Sequence, residues 1–113
     1  GDVPQARGRV SDDAPEVGRF MALVERLERE DPLLTPIQAG LLVAAGLGLA
    51  SDSRTFARLL GLAHALVLRE LIALTDRDLL RVTKRDGRTM RTHFAPGDAA
   101  ARYASLFQTD PVT

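Results

Sequence analysis

No cysteine occurs among the 113 residues, so disulfides, thiolate nucleophiles and cysteine-based redox sensing are excluded. The formal net charge is zero, which rules out a generally sticky polycation. No apolar run approaches the ~20 residues that a bilayer-spanning helix takes. Nor does the chain open on a cationic, apolar, small-residue signal sequence, and a cytoplasmic location is the expectation. His64 and His93 are the two histidines, and neither stands in a Glu-x-x-His or His-x-x-x-His spacing, so no metal site is expected. Asp76 and Asp78 lie close together, but at a helix-to-strand turn where Asp is a turn former. With no nucleophile signature and no convergent partner for those carboxylates, neither an enzyme nor a cofactor is expected.

What is present is an ordinary globular composition, 45% apolar and 27% charged, in a chain long enough for one domain with a real core. Its charge is unevenly spread. Residues 1–50 carry 5 basic and 8 acidic side chains, residues 51–95 carry 9 and 5, and residues 96–113 carry 1 and 2. The positive excess therefore falls on one segment, which points to a polyanionic partner for it.

Residues 1–14 mix Gly, Pro, Arg and Asp with few apolar side chains and read as a flexible arm. From Pro15 to Asp31 the pattern is helical. Asp13 caps it, Pro15 and Glu16 suit its first turn, and Val17, Phe20, Met21, Val24 and Leu27 form one apolar stripe. Thr35 and Pro36 start a second helix, apolar nearly all round and so central, which runs to about Leu49. Gly40, Gly46 and Gly48 in it permit close approach by neighbours and unwinding at its end. Pro96-Gly97-Asp98 is a turn and cap for a last short helix, Ala99 to Gln108. That helix needs Phe20 and its neighbours, or a second subunit, to pack against. Residues 109–113 are a tail, leaving 15–108 as the single domain.

Between these flanks lies a helix-turn-helix. Ser51-Asp52-Ser53 caps a short helix that breaks at Gly61, with Ala57 at the close crossing. A second helix runs from about His64 to Asp76 or Arg77. Phe56, Leu60, Leu62, Val67 and Leu71 supply the apolar positions that lock the pair. From Leu79 to Ala95 the period becomes two. Leu80, Val82, Met90, Thr92 and Phe94 share parity, which an odd-numbered loop, Arg85-Asp86-Gly87 with Gly87 left-handed, would place on one face. In that register Arg81 faces Arg91, and Lys84, Arg85, Arg88, Arg91 and His93 crowd one hairpin, a repulsion that a bound anion would offset. The fold class is thus mainly α with a small β-hairpin, a winged helix-turn-helix.

This order of elements resembles the MarR family of winged-helix transcriptional regulators over roughly Leu34 to Tyr103. Leu34-Thr-Pro-Ile-Gln38 looks like the family's L-T-P-x-Q entry to its second helix. Leu60-Gly61-Leu62 with Val67 and Arg69 is similar to its recognition unit. Asp86-Gly87-Arg88 is similar to its Asp-x-Arg wing signature, and Phe94-Ala-Pro-Gly97 stands where the family has L-T-x-x-G. The resemblance implies a double-stranded DNA-binding regulator and a homodimer formed by the N- and C-terminal helices. It implies a cytoplasmic protein, at the bacterial nucleoid when DNA-bound, and a wing whose Arg88 reaches the minor groove. On the second helix, His64 and Arg69 are the candidate base readers, with Ala65 and Leu68 on the same groove-facing surface. Arg54 and Arg58 are candidate phosphate contacts, and Lys84, Arg85, Arg88 and Arg91 are the wing's. Leu68 and Ile72 read only a thymine methyl and not the donor/acceptor code. Leu66, Leu68 and Ile72 are expected either to be buried by a neighbouring helix or the N-terminal segment, or to form an exposed apolar patch. The alternative function is accordingly a winged-helix protein-interaction module that has lost base reading. No effector is identified by these residues.

Overall fold

A computed structural model of the chain describes residues 17–108. The expected arm, the roles of Asp13, Pro15 and Glu16, and the expected tail lie outside the described residues. Helix α1 covers residues 17–30. It buries Leu23, Val24 and Leu27 and leaves Val17 and Met21 exposed. Asp31 follows at its end, and Leu34 folds back to bond Asp31 before the next helix begins.

Helix α2, Pro36–Leu47, starts on a capping box. The Thr35 hydroxyl accepts from the Gln38 N–H, and the Gln38 side chain returns the bond to the Thr35 N–H. Proline at the first position needs no donor there. An unbroken run from Gln38 to Ala44 is buried, which makes α2 the central helix that the sequence suggested. Two of its glycines act through missing side chains. A Cβ on Gly40 would stand 3.4 Å from the Phe56 ring, and one on Gly46 would meet the Phe107 ring at 2.8 Å. Gly48 instead ends the helix in the left-handed conformation.

Helices α3, Ser53–Leu60, and α4, His64–Asp76, form the helix-turn-helix. Asp52 caps α3 by accepting from the Thr55 N–H, and the turn is made by Gly61 at φ 67°. The Leu62 N–H closes on the Ala57 carbonyl. Phe56, Ala57, Val67 and Leu71 are buried as expected, but Leu60 is 42% exposed. Standing in the last residue of an eight-residue helix, Leu60 points out beside Leu59 and not into α4. At the other end of α4, Asp78 takes a left-handed conformation, consistent with its reading as a turn former.

The wing pairs β1, Leu80–Arg85, with β2, Thr92–Pro96, antiparallel. Its register corrects the expectation. Val82 lies opposite Phe94 and Arg81 opposite Ala95, so Arg81 does not face Arg91. An irregularity between Val82 and Lys84 then shifts the pairing, so that Lys84 meets His93 and Arg85 meets Thr92. The loop closes between Asp86 and Arg91, with Met90, not Gly87, in the left-handed position at φ 63°. The longer loop wins because Asp86 accepts from the Arg88 N–H and Thr89 from the Arg91 N–H, satisfying the turn locally. Leu80, Val82 and Phe94 keep their shared parity, while Met90 leaves for the tip. Ser51 and Asp52 add a fragment of a third strand beside β2: the Phe94 N–H donates to the Ser51 carbonyl.

The expected last helix is two pieces, a 3-10 segment Asp98–Tyr103 and then α5, Ala104–Gln108. It packs on α2 through Phe107, and Arg19 of α1 bonds the Phe107 carbonyl; Phe20 packs toward Gly40 instead. The Tyr103 hydroxyl donates to the Asp31 carboxylate at 2.7 Å, which Arg77 also contacts at 2.6 Å. One buried carboxylate thus joins the ends of α1 and α4 to the C-terminal segment. Burial alone would raise its pKa, but the bonds from Tyr103, Arg77 and the Leu33 N–H outweigh it and hold Asp31 below the ordinary value.

Candidate nucleic-acid interface

Helix α4 shows its outer face by its spacing. Ala65, Arg69, Ile72 and Asp76 recur at four, three and four residues, and all four are exposed. Val67, Leu71 and Leu74 form the opposite, buried stripe. Glu70 fixes the rotation of the helix by accepting from the Gln38 amide at 2.7 Å and from the Thr35 hydroxyl. Arg69 thus projects from a helix that is held on both sides, while Leu68 stands half-buried next to it.

The wing is clamped to the helix-turn-helix by two arginines. Arg54 of α3 directs Nε and Nη2 to the Thr89 carbonyl at the wing tip, at 3.2 and 2.6 Å. Arg91 pairs with Asp52, the α3 cap, at 2.9 Å. Asp52 therefore serves the helix and the wing at once. Its burial works against the charge, but the Thr55 N–H and hydroxyl and the Arg91 guanidinium hold its pKa down. Arg91 carries its own counter-charge, so the crowding of cations that suggested an anion on the hairpin is relieved from within.

His64 is likewise engaged. Its Nε2 stands 2.7 Å from the Ser53 hydroxyl, and that same hydroxyl accepts from the buried Thr92 N–H. Ser53 is fully buried, and with one lone pair taken by the Thr92 N–H its hydroxyl can still either donate to Nε2 or accept from it, so the contact anchors the imidazole in both arrangements. Burial first, then the charges of Arg54 and Arg91, push the His64 pKa below its ordinary value, with Asp52 opposing. Through Ser53, the imidazole of α4 joins α3 and β2 with one of its two ring nitrogens.

Of the ten candidate residues, the structure thus divides the charged ones into two sets. Arg54, His64 and Arg91 hold the unit together. Arg58, Arg69, Lys84, Arg85 and Arg88 are exposed and, among the described residues, carry no ion pair. Ala65 is exposed on the outer stripe of α4. Leu68 is half-buried beside the wing, with no other helix among the described residues in its groove. With Ile72 it opens into a groove of about 240 Å³ whose far wall is Val82, Arg85 and Met90 of the wing. Sequence reasoning missed the brackets, Ser53 and Thr89. The Thr89 contact runs through a backbone carbonyl and leaves no residue signal; the complementary charges of Asp52 and Arg91 were the visible trace of the clamp.

No protein-family model and no curated protein matches the sequence. Solved structures do. The adhesin competence repressor AdcR of Streptococcus pyogenes superposes with a TM-score of 0.52 at 20% identity, over 96% of this chain and 72% of that one. MepR, a transcription regulator of the Staphylococcus aureus multidrug efflux pump MepA, gives 0.55 at 15% identity, over 85% and 70%. Helices and hairpin together are the winged helix of MarR-type regulators, and at these identities it is the fold that the likeness establishes.

Proposed function

We propose that this chain is a MarR-like transcriptional regulator that binds double-stranded DNA, with α4 in the major groove and the wing on phosphates or the minor groove. The observation that carries this reading is the division of the cations. Lys84, Arg85 and Arg88 on the wing, with Arg58 and Arg69 on the two helices, are exposed and form no ion pair among the described residues. They ride on a unit that Arg54 and the Arg91–Asp52 pair hold rigid, so their positions are set before any partner arrives. The two solved neighbours are, by their names, a repressor and a transcription regulator, which agrees with this use of the fold.

Residues 15–108 act as one domain in this reading, and the protein works in the cytoplasm, at the nucleoid when bound. It works as a homodimer. Val17 and Met21 of α1, Leu49, and Leu59 and Leu60 of α3 are exposed large apolar side chains around one groove. An apolar surface of this kind is what an interface buries. The groove joins α1, from the expected pair of terminal helices, to the end of α3, and includes no residue of the C-terminal helix. The test of the function is retention of mixed-sequence duplex by the purified protein in a gel-shift assay at low salt. Retention is expected, and no retention of any duplex overturns the reading.

A further inference from the structure

A recognition helix reads bases with whatever its outer face carries, and this face carries few polar groups. Along the exposed stripe of α4, Arg69 is the one hydrogen-bond donor among Ala65, Arg69, Ile72 and Asp76. The flanking positions add little. The half-buried His64 has Nε2 engaged with Ser53 and keeps Nδ1 alone, the Thr75 hydroxyl donates to the Ile72 carbonyl of its own helix, and Leu68 is apolar. Ile72 is 56% exposed, and Leu68 and Ile72 together wall the groove toward the wing, where Val82 and Met90 continue the apolar surface and Arg85 supplies a cation. Asp76 closes the strip at its far end, where a carboxylate repels the phosphate backbone.

We propose that Leu68 and Ile72 are specificity-determining residues that select DNA by the C5-methyl groups of thymine, with Arg69 as the neighbouring polar contact. The inference rests on the DNA-binding reading above. Of the groups that base pairs present in the major groove, the thymine methyl is the one an aliphatic side chain matches; every other edge loses a hydrogen bond to water when Leu or Ile covers it. Arg85 at the groove wall is placed to hold the backbone while the methyl enters between Leu68 and Ile72. Selection by the strip therefore favours A·T pairs, and does so through a group that uracil lacks.

The test uses four defined duplexes: alternating poly(dA-dT), the same polymer with uracil for thymine, alternating poly(dG-dC), and its 5-methylcytosine form. Binding by fluorescence anisotropy at one fixed low salt concentration should be about four- to fifteenfold tighter to poly(dA-dT) than to its uracil counterpart, the gain expected from burying one to two methyl groups. Methylation of the G·C polymer, which puts a methyl at the same place in the groove, should strengthen binding in the same sense. The Leu68→Ala/Ile72→Ala variant, checked for retained helix by circular dichroism, should bind with the two preferences flattened. Arg88→Ala should weaken binding to all four polymers while leaving the thymine-to-uracil and the methylated-to-unmethylated ratios unchanged. Equal affinity of the wild type for the thymine and uracil polymers overturns the methyl reading and leaves DNA binding standing. A thymine preference that survives in the double variant overturns the assignment to Leu68 and Ile72. No binding to any of the four overturns the DNA reading itself, and with it this one, and turns the apolar strip into a surface for a protein.

Discussion

The Ser53 hydroxyl accepts the Thr92 N–H and shares a 2.7 Å hydrogen bond with Nε2 of His64, so a single oxygen ties three elements together. Because burial and nearby arginines lower the native pKa of His64, the folded chain resists a proton that the unfolded chain takes up. Stability from this site is therefore complete above pH ~6.5 and declines as pH falls below it, until the lowered native pKa is passed. Asp31 and Asp52 act in a more acid range, since their native values lie below the ordinary carboxylate one and their contributions are lost only as pH falls through those lowered values. Thermal melts between pH 7.5 and 5.5 should thus show a falling midpoint for the wild type and a flatter profile for His64→Asn. A wild-type midpoint that does not fall in this window contradicts a lowered His64 pKa. Ser53→Ala should cost about 1–3 kcal/mol at pH 7.5, because it strands the buried Thr92 N–H.

At the scale of elements, the turn between α4 and the wing is joined to the start of the C-terminal segment. The Gly97 N–H donates to the Leu79 carbonyl and the Ala99 N–H to that of Asp78, so backbone lies against backbone with no room for a side chain. A Cβ on Gly97 would collide with the Asp78 carbonyl, which has no flexible end to swing away. Gly97→Ala should therefore lower stability by about 2 kcal/mol or more in denaturant unfolding, and an unchanged midpoint would contradict this packing. The elements themselves were legible wherever a local rule decides: Thr35 with Pro36 and the caps of Ser51-Asp52-Ser53 at helix starts, Gly61 at the turn, the switch to period two from Leu79. The hairpin register was not. Parity placed Leu80, Val82 and Phe94 correctly, but Asp86 and Thr89 prefer to bond their own loop, which moved Met90 to the tip and Arg81 away from Arg91. The Ala-rich last helix likewise split, because its length is set by Tyr103 reaching Asp31 and by Phe107 on Gly46, contacts across the fold that no local pattern records.

For the whole molecule, the candidate interface was half visible. The excess of positive charge in residues 51–95 is plain in the sequence, but which cations are spoken for depends on distances between α3 and the wing that only the folded chain supplies. The apolar groove beside α1 and α3 carries the dimer reading to a direct test. Sedimentation should find two chains per particle at micromolar concentration, and Leu59→Glu, which places a charge on an exposed site of that groove, should shift the particle to one. A dimer unaffected by the charge would place the interface elsewhere.

If the wing cations, which form no ion pair among the described residues, meet the phosphates of a DNA duplex, the dependence of affinity on salt reads this most directly. Fluorescence anisotropy with a mixed-sequence duplex should give a log Kd that rises linearly with log salt concentration for the wild type. In the Lys84→Ala/Arg88→Ala variant, which leaves the Arg54 and Arg91 clamps intact, that slope should fall by about 2, one for each phosphate contact removed. An unchanged slope in the variant, or no binding by the wild type at low salt, would contradict the account.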